Sequence, residues 1–295
     1  MRTRVSPIVL LGIVLSASAA APPPSSAAAS RLYATEIETW RSARERDLTA
    51  DEGWLTVAGL VFLKPGVNTV GSTTDNDVVL PPGAPAHAGR LVREQSTVTF
   101  EPDGTAGLTL NGLPLAARVP LGVRDRVTVG AVSFLLHESG DRIGIRIRDT
   151  NSALRRSFHG LRWFPIREDW KREARFVAYD RPRTITVPNV LGDYETLTVP
   201  GEAVLAIDGH EVRLQAARAG KRLWFIFSDG LGGRETYHIR FLYADAPGPD
   251  GHVTLDFNRA YNPPCAYNPF TTCPLPPVQN RLAVKIDAGE RTYRQ

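Results

Sequence analysis

Near its C-terminal end the chain carries a segment that neither a helix nor a central strand can run through, Asp256 to Pro277. It holds both cysteines of the protein and six of its 23 prolines. Proline lacks the backbone donor and fixes φ, so the segment must be a loop. It is not a spacer, because Tyr261, Tyr267, Phe270 and Leu275 are side chains that gain by burial. Such a stiff, aromatic loop is expected to pin the end of the fold against the last strands, to wall a pocket, or both. Cys265 and Cys273 stand eight positions apart. In an exported chain this spacing reads as a disulfide, worth about 2.5 kcal/mol of loop-closure entropy. A two-thiolate metal site and a reactive thiol are the alternatives. The metal reading lacks two further ligands, since His252, the nearest histidine, is at no finger-like spacing.

The first residues read as an export signal: basic Arg2 and Arg4, an apolar run from Ile8 to Leu15, then small residues to Ala21. The apolar run is shorter than the roughly 20 residues a bilayer span needs. Residues 1–20 are therefore expected to be a signal peptide and 21–31 a Pro/Ser/Ala-rich tether, which places the mature protein outside the cytoplasm, periplasmic or secreted. No later segment could span a membrane. Without Arg2 and Arg4 the formal charge falls from +4 to +2. No basic run interleaved with aromatics occurs, which argues against nucleic acid as a partner.

Residues 32–50 carry a helical pattern, with Tyr33, Ile37, Trp40, Arg44 and Leu48 near one face. From Trp54 onward short alternating runs are separated by turn signals such as Pro102-Asp103-Gly104, Asn111-Gly112 and Asp208-Gly209. The expected fold is mainly β: two packed β-sandwich or barrel-like units, 51–150 and 151–295, behind an N-terminal amphipathic helix. In the run Arg142 to Arg148 the arginines alternate with apolar residues and are expected on a wet face. Ser228-Asp229-Gly230-Leu231-Gly232-Gly233 lacks the phosphate-loop ending and reads as a hairpin turn.

Period two in the strand from His252 to Asn258 puts His252, Thr254, Asp256 and Asn258 on one face, which could bind a polar ligand, stage proton transfer or simply face solvent. A neighbouring strand from Thr236 to Tyr243 would bring Arg240 to Asp256, either to hold an anion by its fork or as a structural ion pair. Arg281 and Glu290 are further charges that could close the cluster. The candidate ligand-binding set is Arg240, Asp256, Asn258, Tyr261, Asn262, Arg281 and Glu290. The candidate catalytic groups are Asp256, His252 and Tyr237. No nucleophile elbow, zinc-protease motif or cofactor-binding motif occurs, so neither metal nor cofactor is expected.

Trp54, Gly71-Ser72, Asn76-Asp77, Tyr179, Pro188 to Gly192, Glu235 to Tyr237, Arg240 to Asp245, Asp256 to Asn258 and the string from Tyr261 to Leu282 resemble the bacterial domain-of-unknown-function family numbered 1684. The resemblance runs from Trp40 to Glu290 and implies an architecture without a known activity. Within the first half, Val70-Gly71-Ser72, Asn76 to Leu80, His87 and Asn111-Gly112 resemble the forkhead-associated, phosphothreonine-binding sandwich. That pattern wants Arg where Ser72 stands and Ser where Ala84 stands. Those groups grip phosphate, which argues against phosphopeptide binding. Two functions follow as expectations. One is an extracytoplasmic protein that binds an unidentified small molecule or protein through a polar pocket in its C-terminal β unit. The alternative is a hydrolase using Asp256 or His252 as base, Tyr237 or Tyr261 as proton donor, and Arg240 with Arg281 on an anion.

Overall fold

The computed structural model describes residues 26–104 and 107–293. The expected signal peptide and the start of the tether lie outside the described residues. Helix α1 (Ser26–Thr49) already begins within the stretch read as tether. No helix among the described residues is long and apolar enough to cross a membrane.

The fold is mostly β. The first unit comprises β1 (Val57–Phe62), β2 (Gly66–Gly71), β3 (Val78–Val79), β4 (Gly89–Glu94), β5 (Thr97–Pro102), β6 (Thr109–Leu110), β7 (Leu113–Pro114), β8 (Val119–Leu121), β9 (Arg126–Val129), β10 (Val132–Ser139) and β11 (Arg142–Asp149). They form two sheets, β1-β11-β10-β9-β6-β7 and β3-β2-β4-β5-β8. One core lies between them, with Val70, Leu91 and Phe100 from one sheet meeting Val127, Phe134 and Ile145 from the other. Phe100 and Phe134 meet edge to face at 5.4 Å, the arrangement that aromatic quadrupoles favour.

A short helix, α2 (Ala153–Arg156), leads to the second unit. It comprises β12 (Lys171–Pro188), β13 (Tyr194–Ile207), β14 (His210–Ala219), β15 (Arg222–Phe227), β16 (Arg240–Ala244) and β17 (His252–Asp256), in the antiparallel order β16-β15-β14-β13-β12-β17. The sheet curls into a half-barrel around Leu205, Leu214, Phe225, Phe227, Leu255 and Phe257. The Asp208-Gly209 turn has positive φ at both residues, 50° and 78°. This is the mirror-image turn that matches strand twist in a two-residue hairpin. Ser228 to Gly233 is not a hairpin turn. Residues 228–239 form a longer connection folded around Asp229, whose carboxylate accepts from Leu231 N at 2.7 Å and Thr236 Oγ1 at 3.2 Å.

Of the β11 arginines Arg142 is exposed as expected, but Arg146 and Arg148 are not on a wet face, because the second unit and the entry to β1 cover them. Arg146 and Arg148 are buried and both lie over the Trp54 ring. Arg148 donates to Gly53 O at 2.6 Å and Thr56 Oγ1 at 2.9 Å. Arg142 pairs with Asp193, on the tip of the β12–β13 hairpin, and Ser139 donates to the same carboxylate at 2.6 Å. Alternation specifies which residues share a face, not whether solvent or another unit covers it.

His137 sits in this junction, 3.3 Å from Arg146 Nη2. Burial first, then the Arg146 charge, pull its pKa down to about 4, while Asp193 acts the other way. The imidazole is neutral in the folded state but protonates near 6.5 when unfolded. Its contribution is therefore complete above pH 6.5 and is lost as pH falls from 6.5 to 4. With the ring only partly buried, we expect a loss of about 1–2 kcal/mol from this group. Urea unfolding at pH 7 and pH 4.5 should show His137→Gln losing that much less stability than wild type; equal losses would contradict it.

Candidate functional site

The proline-rich segment is folded against both units. Tyr261 and Phe241 exchange backbone hydrogen bonds at 3.0 and 2.9 Å, and Val190 N donates to Cys273 O at 3.0 Å. Leu275 N donates to Pro188 O at 2.8 Å. Asn268 Nδ2 crosses to the first unit and donates to Val57 O at 2.5 Å.

The expected polar row does not assemble into one pocket. Strand β17 pairs with β12, and β16 pairs with β15, so Arg240 does not face Asp256. Arg240 is fully buried and donates to Asp229 at 2.7 Å, Ile286 O at 3.1 Å and Ala288 O. It pins the C-terminal tail under the half-barrel and is closed to any ligand. Asp256 accepts from Tyr33 on α1 at 2.8 Å and pairs with Arg259 at 3.4 Å. Asn258, also fully buried, donates to Arg167 O at 2.7 Å and accepts from Arg167 N at 3.1 Å. His252 is exposed beside Asp250, and Tyr237 donates to Cys265 O at 3.2 Å. Arg281 is exposed, with Nε donating to Pro276 O at 3.3 Å, in a separate groove shared with His210 and Arg213. The hydrolase arrangement of Asp256 or His252 with Arg240 and Arg281 is thus spread over the molecule.

Tyr261, Asn262 and Glu290 do come together, around an arginine from α1. The Glu290 carboxylate is fully buried, accepting from Asn262 N at 3.1 Å, Asn262 Nδ2 at 2.8 Å and the Tyr267 hydroxyl. Arg44 Nε lies 3.5 Å from it, and Arg44 Nη2 donates to Asn262 O at 2.8 Å. Burial pushes Glu290 above the usual carboxylate range; Arg44 and the Tyr267 and Asn262 donors pull it back only in part. Burial, then the Glu290 charge, raise Tyr267 well above its ordinary value. Burial alone would lower Arg44, but Tyr267 and Glu290 outweigh it and hold the guanidinium charged.

Arg44 also forms the floor of a cleft of about 290 Å³ between α1 and the half-barrel, lined by Trp40, Ala43, Arg44, Asp47, Arg222, Tyr243, Arg259 and Tyr261. Its guanidinium lies 4.1 Å from the Tyr261 ring centre, and that of Arg222 lies 4.4 Å from Tyr243. The two tyrosine rings are nearly parallel, 20° apart at 6.4 Å, and Trp40 leans on Tyr261 at 6.3 Å. Arg259 is held by Glu36 and Asp256. Among the described residues no carboxylate pairs with Arg222. Of this cleft the sequence pointed only to Tyr261. Arg44 stood in plain view as a cation on the apolar face of α1; Arg222 and Tyr243 gave no signal, because the β14–β15–β16 register alone sets them beside Tyr261.

The expected disulfide is not formed in the structure, where both cysteines are free. They are nonetheless in contact, with Cys265 N donating to Cys273 Sγ at 3.3 Å. Their proximity raises the pKa of Cys265 and lowers that of Cys273. In the first unit, Ser72 donates to Ala84 O at 2.9 Å, and Asn76 spans the Thr73 and Ala86 carbonyls. These polar groups close the loop on itself. His87 lies on the surface beside Asp75.

Residues 156–291 match the model of a family described as a protein of unknown function, DUF1684. The match covers the half-barrel, the proline-rich segment and Glu290. It does not extend over α1 and the sandwich, although the resemblance was expected from Trp40 onward. The chain is similar to the solution NMR structure of an uncharacterized protein from Haloarcula marismortui, with 31% identity over 47% of this chain and 79% of that chain and a TM-score of 0.40. It is also similar to an FHA domain solved in a study of phosphothreonine-dependent interactions, at 18% identity over 30% of this chain and 92% of that one, TM-score 0.23. A third similarity is to Mycobacterium tuberculosis EmbR in complex with a low affinity phosphopeptide, at 16% identity over 43% and 32% of the two chains, TM-score 0.23. No curated protein matches.

Proposed function

We propose that this is an extracytoplasmic binding protein that holds a small organic anion in the cleft between α1 and the half-barrel. The carrying observation is Arg222, stacked on Tyr243 with no carboxylate partner, beside the charged and anchored Arg44. A planar guanidinium laid on an aromatic face keeps its outer N–H edge available for a carboxylate or phosphate. The volume suits a small ligand, at the lower end of the roughly 300–1,000 Å³ of ligand pockets. The dispersal of His252, Asp256, Arg240 and Arg281 supports binding rather than hydrolysis. Export rests on the basic, apolar and small-residue order of the first 21 residues. In an oxidising compartment the Cys265–Cys273 pair would close.

The test is a thermal-shift screen of small aromatic carboxylates and phosphates, since a ligand that binds only the native state raises its apparent stability. Hits should lose about tenfold in affinity in Arg222→Ala, the scale of one charge-assisted contact. Hits that bind Arg222→Ala unchanged would remove the cleft from consideration.

A further inference from the structure

Resting on that reading, we infer that the ligand is a zwitterion with an aromatic body, of the α-amino-acid class. The cleft holds one more charge without a protein partner. Asp47, exposed on the last turns of α1, lines it together with Arg222, and the two do not pair with each other. The other charges around the cleft have partners: Arg44 has Glu290, and Arg259 has Glu36 and Asp256. Among the described residues the Asp47 carboxylate has neither an ion pair nor a hydrogen-bond donor. Its position is mildly unfavourable, because an acid near the C-terminal end of a 24-residue helix faces the negative end of the helix dipole, an effect of about 0.3–1 kcal/mol for an exposed group.

A purely anionic ligand on Arg222 would leave Asp47 uncompensated and would be repelled by it. A cation would do the reverse. A molecule with a carboxylate and an ammonium answers both charges, the first through the Arg222 fork and the second at Asp47. The cleft is also lined by the rings of Tyr243, Tyr261 and Trp40, which suit the flat apolar body that an aromatic α-amino acid carries to one side of its two charges.

The experiment uses three probes that share one body and differ in charge: L-phenylalanine, 3-phenylpropionate, which lacks the ammonium, and phenethylamine, which lacks the carboxylate. Calorimetric titration of the whole protein should show phenylalanine binding at least tenfold more tightly than either of the others. Asp47→Asn should erase the advantage of phenylalanine over phenylpropionate; its ligand-free melting temperature confirms folding. If phenylpropionate binds as well as phenylalanine, or if Asp47→Asn leaves the advantage intact, the zwitterion inference is overturned while the anion cleft stands. If neither carboxylate binds, the inference fails, and the broader screen decides whether the cleft fails with it.

Discussion

Replacing Arg240 by methionine should cost about 3–5 kcal/mol of stability, the range for removing one partner of a buried ion pair. Arg240 and Asp229 are both fully buried, and no water can take over the Asp229 charge once the guanidinium is gone. The loss extends beyond the pair. Arg240 also holds the carbonyls of Ile286 and Ala288, so the tail that carries Glu290 loses its clamp. Urea unfolding measures the effect. The double variant Arg240→Met with Asp229→Leu should recover part of it, because an apolar pair of similar volume leaves no orphan charge. A loss below about 1 kcal/mol in the single variant would mean that the tail is held elsewhere.

Oxidation of Cys265 and Cys273 should be the second large effect. Two thiols surrender two protons and two electrons to a disulfide-type oxidant, which is itself reduced to two thiols. The closed loop should raise stability by about 2.5 kcal/mol, equivalent to a melting temperature about 5 °C higher for a protein of this size. The reason to expect a gain rather than strain is that Cys265 N already donates to Cys273 Sγ. Melting with and without reductant, alongside mass measurement, checks this. The Cys265→Ser, Cys273→Ser protein should melt at the same temperature under both conditions. No difference in wild type, with the disulfide shown by mass, would place the loop constraint already in the reduced chain.

Fold class and the placing of strands and turns were legible because they rest on local rules. Asn111-Gly112 and Asp208-Gly209 demanded positive φ and have it. The period-two pattern of β17 correctly separated Val253 and Leu255, which are buried, from His252 and Thr254, which are exposed. Pairing order was not legible. Nothing local distinguishes β12 from β16 as the neighbour of β17, and that single choice moved Arg240 from a presumed ligand contact to a structural clamp. The same blindness hid the cleft. Arg44, Arg222 and Tyr261 come from three separate elements, and only the tertiary register collects them. Cover by Trp54 and the entry to β1 likewise turned Arg146 and Arg148 from surface charges into buried residues.

Apart from Trp54 and Leu55 just after it, helix α1 takes its partners from far along the chain: Leu161, Trp163 and Phe164, then Asp256, Asn258, Arg259, Asn262 and Glu290. During vectorial synthesis it emerges long before most of the surface it docks upon. At ordinary elongation rates of about 5–20 residues per second, the partners from Asp256 onward follow it by roughly ten seconds or more. Throughout that delay, Leu48 can pack on Trp54 and Leu55, while Tyr267, which completes its cover, is still to come. The cleft therefore forms late, because its walls join α1 to Arg222, Tyr243, Arg259 and Tyr261, and Glu290 must arrive to hold Arg44 in place.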